Sequence, residues 1–352
     1  MADANHLTLA ASEDGTPEHV VSLGPNPAKI PDAQSCHVLV VGGGVSGLTT
    51  AWLLLDKGYK VTVIAKEWAW TKDTKGKRLT SQIAGALWEL PPGGCGITEI
   101  ESAAAVHSDV RRYREWAMQS YALYEQVCRL SPAHKRDFGV QMRVLHQFFL
   151  QPLEDRGAFN PSLEKWMAVY SYGLKNQIHN VHFHNRTNVQ KLLTDVGVTS
   201  EEYRSKIHGA YSHDAPVVDT DVAMEFLMRL VQEKGAMLET RIIEGDLVSQ
   251  EQDLMRDYNA DLIINATGLG SRELACDHQV FPVRGAVKRI KNRNKGKYSK
   301  IEDAVLMPAQ LDPDCGGASR VVFIVPRNDD TLIVGSIMAV RPVEKWAAST
   351  WR

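Results

Sequence analysis

One stretch constrains the fold more than any other: residues 36–67, "CHVLVVGGGVSGLTTAWLLLDKGYKVTVIAKE". Residues 36–41 are a short continuous apolar run, the pattern of a buried parallel strand. After the glycines, Leu48, Ala51, Trp52 and Leu55 recur at helical spacing, and Gly58 stands where a helix is capped. Residues 59–65 then predict a second strand. The whole is a strand–helix–strand crossover of about 30 residues. Within it Gly42, Gly44 and Gly47 match G-x-G-x-x-G. The first glycine permits the tight turn out of the strand. The second lets a pyrophosphate approach bare backbone, and the third lets helix and strand pack closely. A diphosphate then rests on free N–H groups at the positive end of the helix dipole. The alternative is a turn with a structural role only.

Which dinucleotide binds is not fixed by these glycines. An acid that holds ribose hydroxyls is expected about 20 residues on. Here the strand tip reads Ala65-Lys66-Glu67. Glu67 is at the right distance, whereas Lys66 suits a phosphorylated ribose, as in NADP.

The rest of the chain bounds the class. Of 352 residues 44% are hydrophobic and 23% charged, enough for one large or two smaller cores, and the net charge of −2 gives no general pull toward nucleic acid or membrane. No apolar run approaches the ~20 residues of a membrane span. Five scattered cysteines lack metal-type spacing and read as reduced thiols inside a cell. Residues 1–35, with Pro25, Pro27 and Pro31, read as a loosely ordered extension. Residues 109–130 predict a long amphipathic helix, and 139–150 a strand. Residues 219–235 predict a helix capped by Asp219, burying Val222, Phe226 and Leu230 and stopping at Gly235. "ADLIINATG" (260–268) predicts a buried strand that ends in a glycine turn, and 319–337 a hairpin around Asn328, Asp329 and Asp330. "KRIKNRNKGKYSK" (288–300) carries seven Lys or Arg and reads as a solvated loop, or as a site for an anionic partner.

Several motifs occur together in one order: the glycine stretch, "TSQIAGALWELPPGGCG" (80–96), "VVDTDVAMEFLMRLVQEKGA" (217–236), "ADLIINATGLGSREL" (260–274) and "FPVRGAVKRI" (281–290). Together they resemble the D-amino-acid oxidase family of FAD-dependent oxidoreductases, across residues 36–340. The resemblance implies an α/β fold: a Rossmann-like FAD-binding domain with a parallel sheet, interleaved with a substrate domain on a mostly antiparallel sheet. Residues 36–100 and 210–280 would form the first, and 101–209 and 281–352 the second. The cofactor implied is FAD. Gly42, Gly44, Val45, Ser46 and Gly47 would hold its pyrophosphate, and Ala65 and Lys66 would lie at the adenosine ribose. Thr80, Ser81, Gly85, Ala86 and Leu87 would line the flavin and its ribityl chain. Ile243 would meet the adenine through its backbone, and Thr267 and Gly268 would pass beside the cofactor. Small and hydroxyl residues suit a planar ring that needs backbone donors brought close.

The reaction implied is oxidation of the C–N bond of a D-amino acid or related small amine, with hydride transfer to flavin and release of peroxide from O2. The implied setting is the cytoplasm, or a peroxisome if the natural C-terminus lies further on. A nicotinamide-dependent dehydrogenase and an inactive flavoprotein remnant are the other readings.

Beside these roles, Trp88 reads as core, Glu89 as a buried hydrogen-bonding carboxylate and Cys95 as a spectator thiol. Arg284 is either a substrate-pocket residue or a structural ion-pair partner. Two departures from the family stand out. Where it supplies tyrosines, "ASRVVFIVPR" offers Ser319 and Phe323, and Phe323 can only wall the pocket. The family's last segment, with its carboxylate-binding arginine, has no counterpart before Arg352, which leaves Arg327 and Arg341 as stand-ins. A fragment, a divergent enzyme and an inactive chain all fit that shortfall.

Overall fold

The computed structural model describes residues 6–9, 19–70, 78–91, 110–130, 137–153, 161–280, 283–294, 299–308 and 321–340. Two sheets organise them. The first contains four parallel strands in the order β8-β4-β3-β9: β3 (His37–Val41), β4 (Lys60–Ala65), β8 (Met237–Thr240) and β9 (Leu262–Asn265). The predicted crossover is present, since helix α1 (Val45–Asp56) joins β3 to β4 and Gly58 ends it at a positive φ of 83°. Val38, Val40, Leu48, Ala51, Trp52 and Leu55 pack with Met224, Leu227 and Val231 of helix α7 (Thr220–Glu233) on one face of this sheet. Leu39, Val41 and Ile64 pack with Leu254 of helix α8 (Glu251–Tyr258) on the other. Apolar side chains on both faces are why residues 38–41 read as an unbroken hydrophobic run.

The second sheet has seven strands in the order β10-β13-β12-β11-β5-β7-β6. These are β5 (Val140–Phe149), β6 (His182–His184), β7 (Gly209–Val218), β10 (Val283–Lys291), β11 (Ala304–Pro308), β12 (Val321–Pro326) and β13 (Thr331–Val340). Only the β11–β5 pairing is parallel. One face buries Trp88, Leu145, Tyr211, Val217, Phe323 and Val325, with helices α3 (Val110–Arg129) and α4 (Pro161–Leu174) against it. The other packs on helix α5 (Arg186–Asp195) through Val189, Leu192 and Leu193. The short helices α2 (Thr80–Ile83), α6 (Glu201–Arg204) and α9 (Ser271–Leu274) complete the α-helices among the described residues.

Five expectations are corrected. Residues before 36 are not loosely ordered throughout. β1 (His6–Leu9) pairs with β2 (His19–Ser22), and Leu7 and Val21 are buried at 2% exposure. Trp52 Nε1 donates to the Ser22 carbonyl (2.9 Å), and the Asp56 carboxylate accepts from Ser22 N (2.8 Å) and Ala28 N (2.9 Å). In α7, Asp219 caps as expected by accepting from Asp221 N, but Val222 faces solvent and the buried stripe runs through Ala223, Met224, Phe226, Leu227 and Leu230. β9 is an edge strand among the described strands, with Leu262 half exposed, so its apolar sequence overstates its burial. Lys288–Lys291 lie within strand β10 and not in a loop. Strand β7, whose residues 210–218 the resemblance assigns to the cofactor-binding domain, pairs in the seven-stranded sheet instead.

Candidate functional site

Strand β3 delivers the chain to Gly42, whose φ of 126° suits glycine alone; a Cβ there would meet the Ala266 carbonyl oxygen at 2.2 Å. A Cβ on Gly47 would lie 1.9 Å from the Gly42 oxygen, so α1 starts hard against the turn. Gly44 differs. Its nearest neighbour would be Ser81 Oγ at 3.4 Å, and its other side is open. Gly43, which the motif leaves unspecified, is also closed: a Cβ would touch the Trp68 ring at 2.9 Å. No sequence signal marks Trp68, which is buried with its Nε1 donating to Thr240 Oγ1.

This turn opens on a cleft of about 980 Å³. Of the residues singled out by sequence, Gly42, Gly44, Val45, Ser46, Ala65, Lys66, Thr80, Ser81, Ile243, Thr267 and Gly268 line it. Glu67, Arg241 and Glu244 join them at the end where β4 and β8 finish. Arg241 came with no motif; it leans on Tyr258 (5.4 Å to the ring centroid) and pairs with Asp257 at 3.4 Å.

Gly85, Ala86, Leu87 and Phe323 are not on the cleft wall. They continue beyond Ser81 toward the seven-stranded sheet, where the Phe323 ring closes on Gly85 to 2.9 Å from where its Cβ would stand. Arg284 lies in β10, paired with Ala339. Ser319, Arg341 and Cys95 fall outside the described residues. Arg327 is 1% exposed and does not reach the cleft; its Nη2 donates to the Ala84 carbonyl.

The donor set fits the diphosphate of a dinucleotide. The backbone N–H groups of Gly43, Gly44, Ser46 and Gly47 have no acceptor among the described residues, and that of Val45 donates to Ser81 Oγ at 3.0 Å. Uncapped amides at a helix start form an anion cradle. A second set of free amides belongs to Gly85, Ala86 and Leu87. The neighbouring peptide groups are tied down. Thr220 Oγ1 donates to the Gln82 carbonyl (2.7 Å), Val218 N to the Ala86 carbonyl (2.9 Å), and Trp88 N to the Pro216 carbonyl (2.9 Å).

Past that segment the interior is apolar with a threaded polar network. Trp88 is core, edge-on to Tyr121 (4.9 Å) and His213 (5.9 Å). Glu89 pairs with Lys165 and accepts from Gln147, which accepts from Tyr211 OH at 2.6 Å. Burial pushes the Tyr211 hydroxyl well above its ordinary pKa, with the Glu89 charge adding to it. Burial also lowers His213 to about 4, so its ring is neutral at pH 7. Among the described residues no group of three His, Cys, Asp or Glu could hold a metal ion, and no helix is long and apolar enough to cross a membrane.

A family model described as FAD dependent oxidoreductase (DAO) matches residues 37–350. A D-amino-acid oxidase of Streptomyces coelicolor is 26% identical over 278 residues, 78% of this chain and 66% of that protein. One from Rubrobacter xylanophilus is 23% identical over 305 residues, 85% of this chain and 69% of that protein. The chain thus spans about two thirds of the length of these relatives. Among solved structures, glycine oxidase from Geobacillus kaustophilus superposes with a TM-score of 0.53 at 14% identity, covering 87% of this chain and 72% of that one.

Proposed function

This chain belongs to the FAD-dependent oxidoreductases of the D-amino-acid oxidase type, and we propose that it binds FAD along the cleft and oxidises the C–N bond of an amino acid or related small amine. One observation carries the reading: two groups of unpaired backbone amides, at Gly43, Gly44, Ser46 and Gly47 and at Gly85–Leu87, separated by Thr80 and Ser81. The first would hold the diphosphate. Ala65, Lys66 and Ile243 would flank the adenosine, and Thr267 and Gly268 would pass beside the chain of the cofactor. The second would set the orientation of the ring system. Bound there, FAD would supply a two-electron acceptor for the carbon bearing nitrogen, with dioxygen as the final oxidant and peroxide as its product.

The residues of this chain supply placement and dryness. The Phe323 ring and the apolar wall around Trp88 exclude water, which strengthens every electrostatic contact inside. Orientation over a fixed ring accounts for much of the acceleration when the amine arrives neutral.

The test is a peroxide-release assay of the FAD-saturated chain over D-amino acids, L-amino acids and simple amines, with unfolding followed in FAD, NAD or NADP. The expected protein is yellow, is stabilised by FAD alone and releases peroxide with at least one amine. A colourless protein stabilised by NAD or NADP overturns the reading.

A further inference from the structure

Arg327 is the first residue after β12, at the start of the turn Asn328–Asp330, and is 1% exposed. Its backbone is fixed on both sides: its N–H donates to the Thr331 carbonyl (3.0 Å) and its carbonyl accepts from Gln141 Nε2 (2.9 Å). The guanidinium crosses to the segment at the edge of the cleft, where Nη2 donates to the Ala84 carbonyl. Its Nε is buried and has no partner. The adjacent Asn328 Nδ2 donates to Asp219 at 2.6 Å, and Asp219 caps α7, whose Thr220 holds Gln82. Nearby, Asp221 is shared by Arg78 (2.7 Å) and Arg289 (2.9 Å). Three guanidinium groups therefore stand against two carboxylates. A buried cation with an idle donor is costly to keep.

We propose that Arg327 is a positioning residue for the flavin: it pins the Ala84 carbonyl so that the free amides of Gly85, Ala86 and Leu87 face the ring, and it places a buried positive charge beside them. Carbonyls 82, 84 and 86 are bound by Thr220, Arg327 and Val218, so the opposite edge of this backbone is free to donate. Arg327 provides the one side-chain tie from the β12–β13 turn to this segment among the described residues, which couples the larger sheet to ring orientation. The inference rests on the FAD reading above.

Wild type, Arg327→Gln and Arg327→Lys are compared with Arg289→Gln, which removes a charge of the same cluster without touching Ala84. FAD affinity is read by quenching of tryptophan fluorescence, along with the visible spectrum and midpoint potential of bound FAD. Arg327→Gln is expected to weaken FAD about tenfold, the scale of one lost preorganised contact. It should also lower the midpoint potential, because a positive charge favours electrons on a nearby ring. Arg327→Lys should keep most of the potential while losing affinity, and Arg289→Gln should match wild type in both. In wild type, FAD should protect amides 85–87 from hydrogen exchange, a measurement that needs no variant to fold. Wild-type affinity and potential in Arg327→Gln, or no protection of those amides in FAD-bound wild type, overturns the inference. Failure of wild type to bind FAD at all refutes the functional reading instead.

Discussion

Gly44→Ala and Gly47→Ala are predicted to fail in different ways. At Gly44 the backbone is extended (φ −80°, ψ −178°), a conformation alanine adopts freely, and the new methyl has only Ser81 Oγ within 4 Å, at 3.4 Å. Without ligand, the variant should be as stable as wild type, or more stable by about 0.4–1 kcal/mol through the stiffer unfolded chain. With FAD, the methyl stands between backbone and diphosphate. An overpacked contact costs about 1–3 kcal/mol, or roughly 5- to 150-fold in Kd. At FAD one hundred times the wild-type Kd, wild type gains about 2.7 kcal/mol on binding, while a variant weakened about 30-fold gains under ~1 kcal/mol. At Gly47 the methyl would sit 1.9 Å from the Gly42 oxygen, a backbone atom that cannot step aside without moving β3 or α1. That variant should lose about 3 kcal/mol or more before any ligand is added. Urea unfolding with and without FAD separates the two. If Gly44→Ala unfolds like Gly47→Ala, or binds FAD like wild type, the assignment of the open glycine to the diphosphate is wrong.

Two further predictions concern the scaffold. Asp56 and Lys234 form an ion pair (2.7 Å) with both side chains at 0% exposure. Lys234→Met should cost about 3–5 kcal/mol in urea unfolding, since it strands a buried carboxylate with only backbone donors; a loss below ~1 kcal/mol would contradict the pairing. His213 has a folded pKa near 4 against an ordinary 6.5, so between those values the unfolded chain binds a proton that the folded chain refuses. Stability present above pH 6.5 should therefore fall as the pH drops toward 4, by roughly 3 kcal/mol in all. His213→Phe should flatten that acid limb, and an unchanged pH profile would show that the ring is not the group responsible.

The first β-α-β unit was readable because its signals are local: a continuous apolar run, glycines at fixed offsets, and a helix face repeating over three turns. The same locality misled where neighbours decide. Val222 fits a helical stripe, yet the stripe that meets β3 and β4 is rotated toward Ala223 and Met224. Residues 262–265 are as apolar as 37–41, but nothing covers the outer margin of β9 among the described strands. The N-terminal segment gave no pattern because what holds it is a carboxylate and an indole on α1, 28 and 30 positions or more away. At the site, the open and closed glycines looked alike in sequence and separate only when the opposing atoms are known. In sequence Arg327 reads as a stand-in for a carboxylate-binding arginine, whereas its actual acceptor, Ala84 O, lies 243 residues earlier and carries no sequence mark.

One of the two outer strands of the larger sheet among the described residues, β10, presents Lys288 and Lys291 to solvent. Two copies approaching margin to margin would bring ammonium against ammonium before any strand could dock. Added electrolyte shortens the reach of that repulsion, from about 10 Å at 0.1 M to about 3 Å at 1 M. Concentrated stocks should accordingly stay dispersed in dilute buffer and begin to self-associate along this margin as salt rises.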